Sequence, residues 1–195
     1  MPSRPPHPAA AAPQFPATLG ITPIRTARLE LVAFDPRAIR ALMDGDRVHA
    51  EMILGALLPD EFPNEDELHG FLAVQLQRME SAPERRAWMA RLTRSRAGEA
   101  IGHCGFHGPP EIIGRAEIGY TVFEKFRRQG YATEAAGALV RWAFRHGEKE
   151  VYASVSPNNA ASLAVVRGLG FRQVGTQEDE VDGLELVFAI ERPAP

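Results

Sequence analysis

The passage from Glu117 to His146 restricts the possible folds more than any other part of the chain. Glu117, Gly119 and Thr121 alternate with Ile118, Tyr120 and Val122, which predicts a strand. A turn carrying Lys125, Arg127 and Arg128 follows, then Gln129, Gly130, Tyr131 and Ala132. From Thr133 to His146 the apolar residues Ala136, Leu139, Val140, Ala143 and Phe144 recur at helical spacing. A strand that turns directly into a helix aims free backbone N–H groups and the positive end of the helix dipole at the turn. Gly130 lets a ligand approach the backbone, and the two arginines add donors suited to phosphate oxygens. The pattern predicts an anion site. The Walker Gly-x-x-x-x-Gly-Lys-Ser/Thr and the dinucleotide Gly-x-Gly-x-x-Gly are both absent here, so the alternative is a basic loop with a glycine helix entry and no ligand.

The remaining pattern places this unit in a mixed α/β domain. Leu29, Leu31 and Ala33 alternate with Glu30 and Val32 as a first strand, and Asp35-Pro36 opens a helix through Ile39, Leu42 and Met43. Leu68, Phe71, Leu72, Leu76 and Met79 define an amphipathic helix over Asn64 to Met79. Three strands are expected at Ala87 to Thr93, Ala100 to His107 and Ala116 to Val122, the first two separated by the charged turn Arg94 to Glu99. A strand at Val151 to Val155, a helix at Asn159 to Arg167 and strands at Phe171 to Thr176 and Leu184 to Glu191 complete the order. A mixed sheet with helices on both faces follows, of α+β or α/β type.

Composition narrows the function. The 195 residues carry a formal net charge of −3, which argues against a general nucleic-acid binder. The single Cys104 can form no intramolecular disulfide, and the longest apolar run, Met52 to Leu58, is far short of the roughly 18 residues of a membrane span. Residues 1–22, rich in proline and alanine, read as a flexible leader without the apolar stretch of a signal peptide, ahead of one domain over 23–192. A cytoplasmic protein is expected.

Arg127-Arg128-Gln129-Gly130-Tyr131-Ala132 resembles the Gln/Arg-x-x-Gly-x-Gly/Ala signature of the GNAT superfamily of acyl-CoA-dependent N-acyltransferases. Asn158 to Phe171 is similar to the Asn-x-x-Ser…Gly-Phe segment of the Rim-type branch, which acetylates ribosomal-protein N-termini. Thr26-Ala27-Arg28-Leu29 looks like the start of that branch. Arg167-Gly168-Leu169 departs from the more usual Glu-Lys-x, which leaves the adenine-side contacts open.

The resemblance implies a central, mostly antiparallel sheet with splayed parallel middle strands, and acetyl-CoA as co-substrate. It places the coenzyme against Tyr120, Thr121, Val122, Arg127, Arg128, Gln129, Gly130, Tyr131, Ala132 and Thr133, with Asn159 on the pantetheine arm. A backbone N–H near Val122 would polarise the thioester carbonyl. Glu117 is the candidate base that deprotonates the amine; the alternative is a strand carboxylate facing solvent or paired with an arginine. Ser162 is the candidate donor to the departing thiolate; the alternative is that Asn159 and Ser162 only hold a helix start.

His103 and His107 share a strand face beside Cys104, but a metal site would need further converging ligands and none is expected. Lining of the acceptor pocket or plain packing are the other readings of this cluster. Trp88 and Trp142 are expected core anchors. The acidic groups Asp60-Glu61, Glu65-Asp66-Glu67 and Glu178-Asp179-Glu180 either steer a cationic acceptor or are solvated loops. The acceptor expected is an amine: the N-terminus of a ribosomal or other protein, or a small molecule such as an amino acid, polyamine or antibiotic. The non-enzymatic alternative is a catalytically silent acyl-CoA-binding module. No nucleic-acid or membrane partner is expected, and a homodimer is left open.

Overall fold

The computed structural model describes residues 20–179 and 183–194. The expected leader therefore lies outside the described residues except for its last three, and so does Glu180.

A short strand β1 (Ile24–Arg25) pairs with β2 (Leu29–Ala33), the first expected strand. Asp35 caps α1 (Pro36–Met43), its carboxylate accepting the Arg37 N–H at 2.8 Å. Burial pushes the Asp35 carboxyl upward in pKa, but hydrogen bonds from Arg37 and its charge outweigh this and hold it below the usual range. The next helix, α2 (Arg47–Leu54), is an addition to the sequence expectation. Its signals were present: Asp46 accepts the His49 N–H at 3.1 Å, and Gly55 ends the helix at φ 60°.

The helix expected over Asn64 to Met79 starts with a π-helical stretch, Glu67–Leu72, and continues as α3 (Ala73–Ser81). Asn64 and Glu67 exchange side-chain to backbone hydrogen bonds of 2.8 and 3.0 Å ahead of it, a reciprocal cap.

Two expectations are corrected in the next segment. Pro83–Trp88 forms a 3₁₀ turn, so β3 (Arg91–Ser95) begins four residues later than the alternation suggested. The turn is held by Arg86 Nε on the Met79 carbonyl at 2.9 Å and by Arg91 Nη2 on that of Ala87 at 2.9 Å. Arg94, expected in a charged turn, lies in β3 and is buried. Its guanidinium binds Glu30 at 2.7 Å and the carbonyls of Leu54 and Gly55 at 2.9 and 2.7 Å. A partner strand and a helix end thus supply the acceptors that let an arginine go inside.

The chain continues through β4 (Ala100–Phe106), a short α4 (Pro110–Ile113) and β5 (Ile118–Val122). Then come α5 (Tyr131–Arg145), β6 (Glu150–Val155), α6 (Ala160–Gly168), β7 (Arg172–Asp179) and β8 (Gly183–Glu191).

Strands β1 to β5 form an antiparallel meander in sequence order, and the last three form a second antiparallel group in the order β6-β8-β7. The two groups join where β5 and β6 begin, through a parallel bridge between Glu117 and Tyr152 and a 2.8 Å bond from the Tyr152 N–H to the Ala116 carbonyl. Past that point no ladder links β5 to β6 among the described residues, so the two parallel strands splay and a wedge opens through the sheet.

Helices cover both faces. Leu139, Ala136 and Val166 of α5 and α6 pack with Leu31, Ile118, Val151 and Phe188 on one face; Ile39, Leu54 and Met79 of α1 to α3 pack with Phe34, Phe62 and Leu92 on the other. Trp142 is buried and meets the half-buried Trp88 edge to face, ring centroids 4.7 Å apart.

Candidate active site

The turn between β5 and α5 has the geometry of an anion cradle. Arg128 and Gly130 both take left-handed backbone angles, φ 61° and 79°, which turn neighbouring N–H groups to a common side. The N–H groups of Tyr131 to Thr133 form the first turn of a 15-residue helix whose first backbone bond is made by the Glu134 N–H, so they are left to face the turn. The positive φ at Arg128 costs a non-glycine residue about 1 kcal/mol, so other contacts must hold it.

Those contacts come from the turn between β1 and β2. Glu134 Oε1 accepts from the Thr26 hydroxyl at 2.6 Å and the Arg28 N–H at 2.9 Å, while Oε2 takes Arg28 Nε at 2.6 Å. Arg28 also donates to the Gln129 carbonyl at 2.9 Å and lies over the Tyr131 ring at 4.4 Å. Burial pushes the Glu134 carboxyl up, but the bonds from Thr26 and Arg28 prevail and hold it below the usual carboxylate range. Thr26, Arg28 and Glu134 thus support the cradle from beneath, a role that sequence reasoning did not assign. The only signal for it was the Thr26-Ala27-Arg28-Leu29 start. Arg127 donates from Nε to the Val122 carbonyl at 3.1 Å, tying the loop to the end of β5.

The wedge itself is a cleft of about 730 Å³ that draws residues from both faces of the sheet. On the α6 side stand Tyr120, Asn159 and Ser162. Asn159 caps α6, accepting the Ser162 N–H at 3.0 Å, and the Tyr120 hydroxyl donates to the Ser162 carbonyl at 3.3 Å. The main chain of Ser162 is thereby fixed at both ends, while its hydroxyl makes no hydrogen bond among the described residues. Burial raises the Tyr120 phenol pKa against the smaller opposing effect of that hydrogen bond, so it stays protonated near neutrality. On the opposite side the cleft is lined by Phe71, Gln75 and Arg78 of the α3 arm, with His103, His107, Thr121 and Ser154.

Glu117 lies just behind this wall. Its side chain is 4% exposed, with Arg115 Nε donating to Oε2 at 2.8 Å and the Ser154 hydroxyl donating to Oε1 at 2.5 Å. His107 Nδ1 stands 3.9 Å from Oε1. Arg115 also donates to Gln177 at 2.8 Å, and Gln177 to Glu185 at 2.9 Å, so a polar chain ties the start of β5 to β7 and β8 across the junction. The arginine partner weighed from the sequence is present. A buried carboxylate needs such a partner, and the pairing leaves its chemistry open.

Period-2 alternation separates the histidines from the cysteine. Cys104 packs against Thr93, whose hydroxyl donates to Sγ at 3.4 Å, and burial pushes the thiol up to about 11. His103 stacks on Phe71 with centroids 4.5 Å apart and lies near Phe62 and Phe123. This apolar surrounding pulls its pKa down to about 4, so it faces the cleft as a neutral ring.

The sign of the stability effect follows. Unfolded His103 gains a proton as pH falls below about 6.5, whereas the folded form stays neutral to about 4. Stability should therefore drop by about 3 kcal/mol across that window. Asn at position 103 should flatten the slope of unfolding free energy between pH 6.5 and 5, measured by urea denaturation. An unchanged slope would remove the assignment.

A splayed parallel pair, an N–H cradle at a helix start and a polar cleft between them define a class, and the chain falls in it: residues 28–172 match the Acetyltransferase (GNAT) domain, and the protein belongs to that family. Over 82 residues it is 34% identical to the uncharacterized N-acetyltransferase p20 of Bacillus licheniformis, a stretch covering 42% of this chain and 46% of that protein. Over 69 residues it is 42% identical to FsC-acetyl coenzyme A-N(2)-transacetylase of Aspergillus fumigatus, covering 35% and 29% of the two chains. The matched stretches thus span less than half of these curated relatives.

The fold is shared with an acetyltransferase from Agrobacterium tumefaciens at TM-score 0.59 and 25% identity, covering 92% of this chain and 100% of that one. It is also shared with a Salmonella typhimurium acetyl transferase described as modifying the N-terminal serine of ribosomal protein L7/L12. That pair has TM-score 0.60 and 22% identity, covering 86% and 97%.

Proposed function

We propose that this protein transfers an acetyl group from acetyl-coenzyme A to a primary amine. The observation that carries the reading is the cleft together with the cradle: Ser154, backed by Glu117, and Ser162 stand on opposite walls of the cleft, and β5, whose Tyr120 and Thr121 line it, runs on into the turn that bears the N–H groups of 128–133. The cradle fits a diphosphate, because unsatisfied N–H groups at a long helix's start and the side chains of Arg127 and Arg128 all favour anionic oxygens. Asn159, Tyr120, Thr121 and Val122 would hold the arm between the splayed strands. Acetyl-CoA would supply the activated thioester.

The chain's own residues then have three tasks. An α-amino group, with an ordinary pKa of about 7.7–8.0, is partly protonated at neutral pH and must lose its proton before it can attack. Glu117 is the acceptor for that proton. Ser162, whose hydroxyl makes no hydrogen bond among the described residues, donates to the departing thiolate. A backbone N–H near Val122 polarises the carbonyl.

For the acceptor, we favour the N-terminus of a protein, on the likeness of Asn158 to Phe171 to the Rim-type segment. A small amine is the second reading, favoured by the wall of Phe71, Gln75 and Arg78 that narrows the far side of the cleft. Among the described residues no helix is long and apolar enough to cross a membrane. A buried, reduced Cys104 supports the cytoplasm as the place of work.

Free-thiol release from acetyl-CoA in the presence of N-terminal peptides, amino acids, polyamines and aminoglycosides should single out one acceptor class. Calorimetry with acetyl-CoA alone should show saturable binding. Binding without thiol release on any amine would point to a silent acyl-CoA module, and absence of heat would remove the coenzyme reading altogether.

A further inference from the structure

We propose that Ser154, rather than Glu117 directly, takes the proton from the acceptor amine and passes its own hydroxyl proton to Glu117. The inference rests on Glu117 being the base. It starts from a mismatch: Glu117 is buried and is not among the residues that line the cleft, whereas Ser154 is. Both carboxylate oxygens are engaged, Oε2 by Arg115 and Oε1 by Ser154 at 2.5 Å. An amine in the cleft therefore meets the serine hydroxyl first.

The topology produces this arrangement. Val151, Ala153 and Val155 of β6 pack into the core against α5 and α6, so alternation sends Tyr152, Ser154 and Ser156 to the opposite face. Glu117 is on that face too, because its neighbour Ile118 belongs to the same core. The parallel bridge at Glu117 and Tyr152 sets the register that brings the two side chains together before the strands diverge.

In the step, an N–H bond of the acceptor ammonium breaks and its proton joins Ser154 Oγ as the Ser154 hydroxyl proton moves to Glu117 Oε1. The serine ends unchanged, Glu117 is protonated, and the amine gains the lone pair that forms the N–C bond. The C–S bond breaks, the sulfur takes the Ser162 hydroxyl proton, Ser162 is reprotonated by the proton shed by the new amide nitrogen, and Glu117 returns the first proton to solvent. The other titratable or charged groups around the pair are Arg115, held on Oε2, and His107, 3.9 Å away without a hydrogen bond; Glu185 is engaged by Gln177.

The test compares Ser154→Thr with Ser154→Val, nearly the same shape with and without the hydroxyl, alongside Glu117→Gln and the Glu117→Gln/Ser154→Val double variant. Acetyl-CoA affinity by calorimetry and melting temperature should agree within the Thr/Val pair. The Val variant should lose about 10²-fold in kcat/KM and the rising limb of its pH profile, and the Thr variant should restore both. The double variant should be no slower than Glu117→Gln alone, because the two groups act in series.

A Val variant with the parent's rate and pH profile, beside an impaired Glu117→Gln, would overturn the relay and leave Glu117 as base, reached through His107 or water. Additive losses in the double variant would overturn it as well. A Glu117→Gln protein that behaves like the parent would remove the base reading itself, and the relay with it.

Discussion

Glu117→Gln is expected to lower kcat by about 10² to 10⁴-fold while acetyl-CoA affinity stays near that of the parent. The substitution nearly preserves shape. The introduced amide oxygen can still accept from Ser154 or from Arg115, so local packing survives, but an amide cannot take up a proton at neutral pH. The cost to the fold should be modest, because Arg115 is 28% exposed and keeps its bond to Gln177 when the ion pair is lost. Steady-state rates from pH 6 to 9, with thermal melting beside them, check this. A variant whose turnover follows the parent across that range would reduce Glu117 to a structural carboxylate tying β5 to β6.

Gly102→Ala is expected to destabilise the fold by at least about 3 kcal/mol, and to weaken acetyl-CoA binding at temperatures where the protein remains folded. A Cβ at this position would fall 2.0 Å from the Thr121 carbonyl oxygen, 2.9 Å from its carbon and 3.0 Å from Val122 Cα. All three are backbone atoms of β5, so no rotamer change relieves the clash, and β5 must move away from β4. The displaced strand carries Tyr120 and Thr121, which line the cleft. Urea denaturation and calorimetry on the same sample would separate the two effects. A loss below about 1 kcal/mol would mean that β5 shifts at little cost.

Local features made much of the fold legible. Asp35-Pro36, Asn64 with Glu67, and Asn159 with Ser162 carry their helix starts in the sequence because a cap needs only residues two or three apart. The strand-turn-helix at 117–146 was readable for the same reason. Boundaries slipped where distant partners decided them. Trp88, read as strand, ends a 3₁₀ turn held by the side chains of Arg86 and Arg91. Arg94 reads as part of a charged turn, because its acceptors lie on Glu30, Leu54 and Gly55, some forty to sixty residues away. The helix Arg47–Leu54 leaves little periodic signal although Asp46 and Gly55 mark its ends, since its few apolar residues merge into the run from Met52 to Leu58.

The candidate site divides along the same line. Sequence alone determined the family signature, the cationic loop with its glycine helix entry, and the alternation that puts Glu117 and Ile118 on opposite faces, because each depends on neighbours within a few bonds. Only the tertiary structure decided that Glu117 is buried against Arg115 and Ser154, that Thr26 and Arg28 hold the cradle through Glu134, and that β8 sits between β6 and β7. These depend on which strands meet and where they part, a choice made by the summed burial of two cores rather than by any local residue preference.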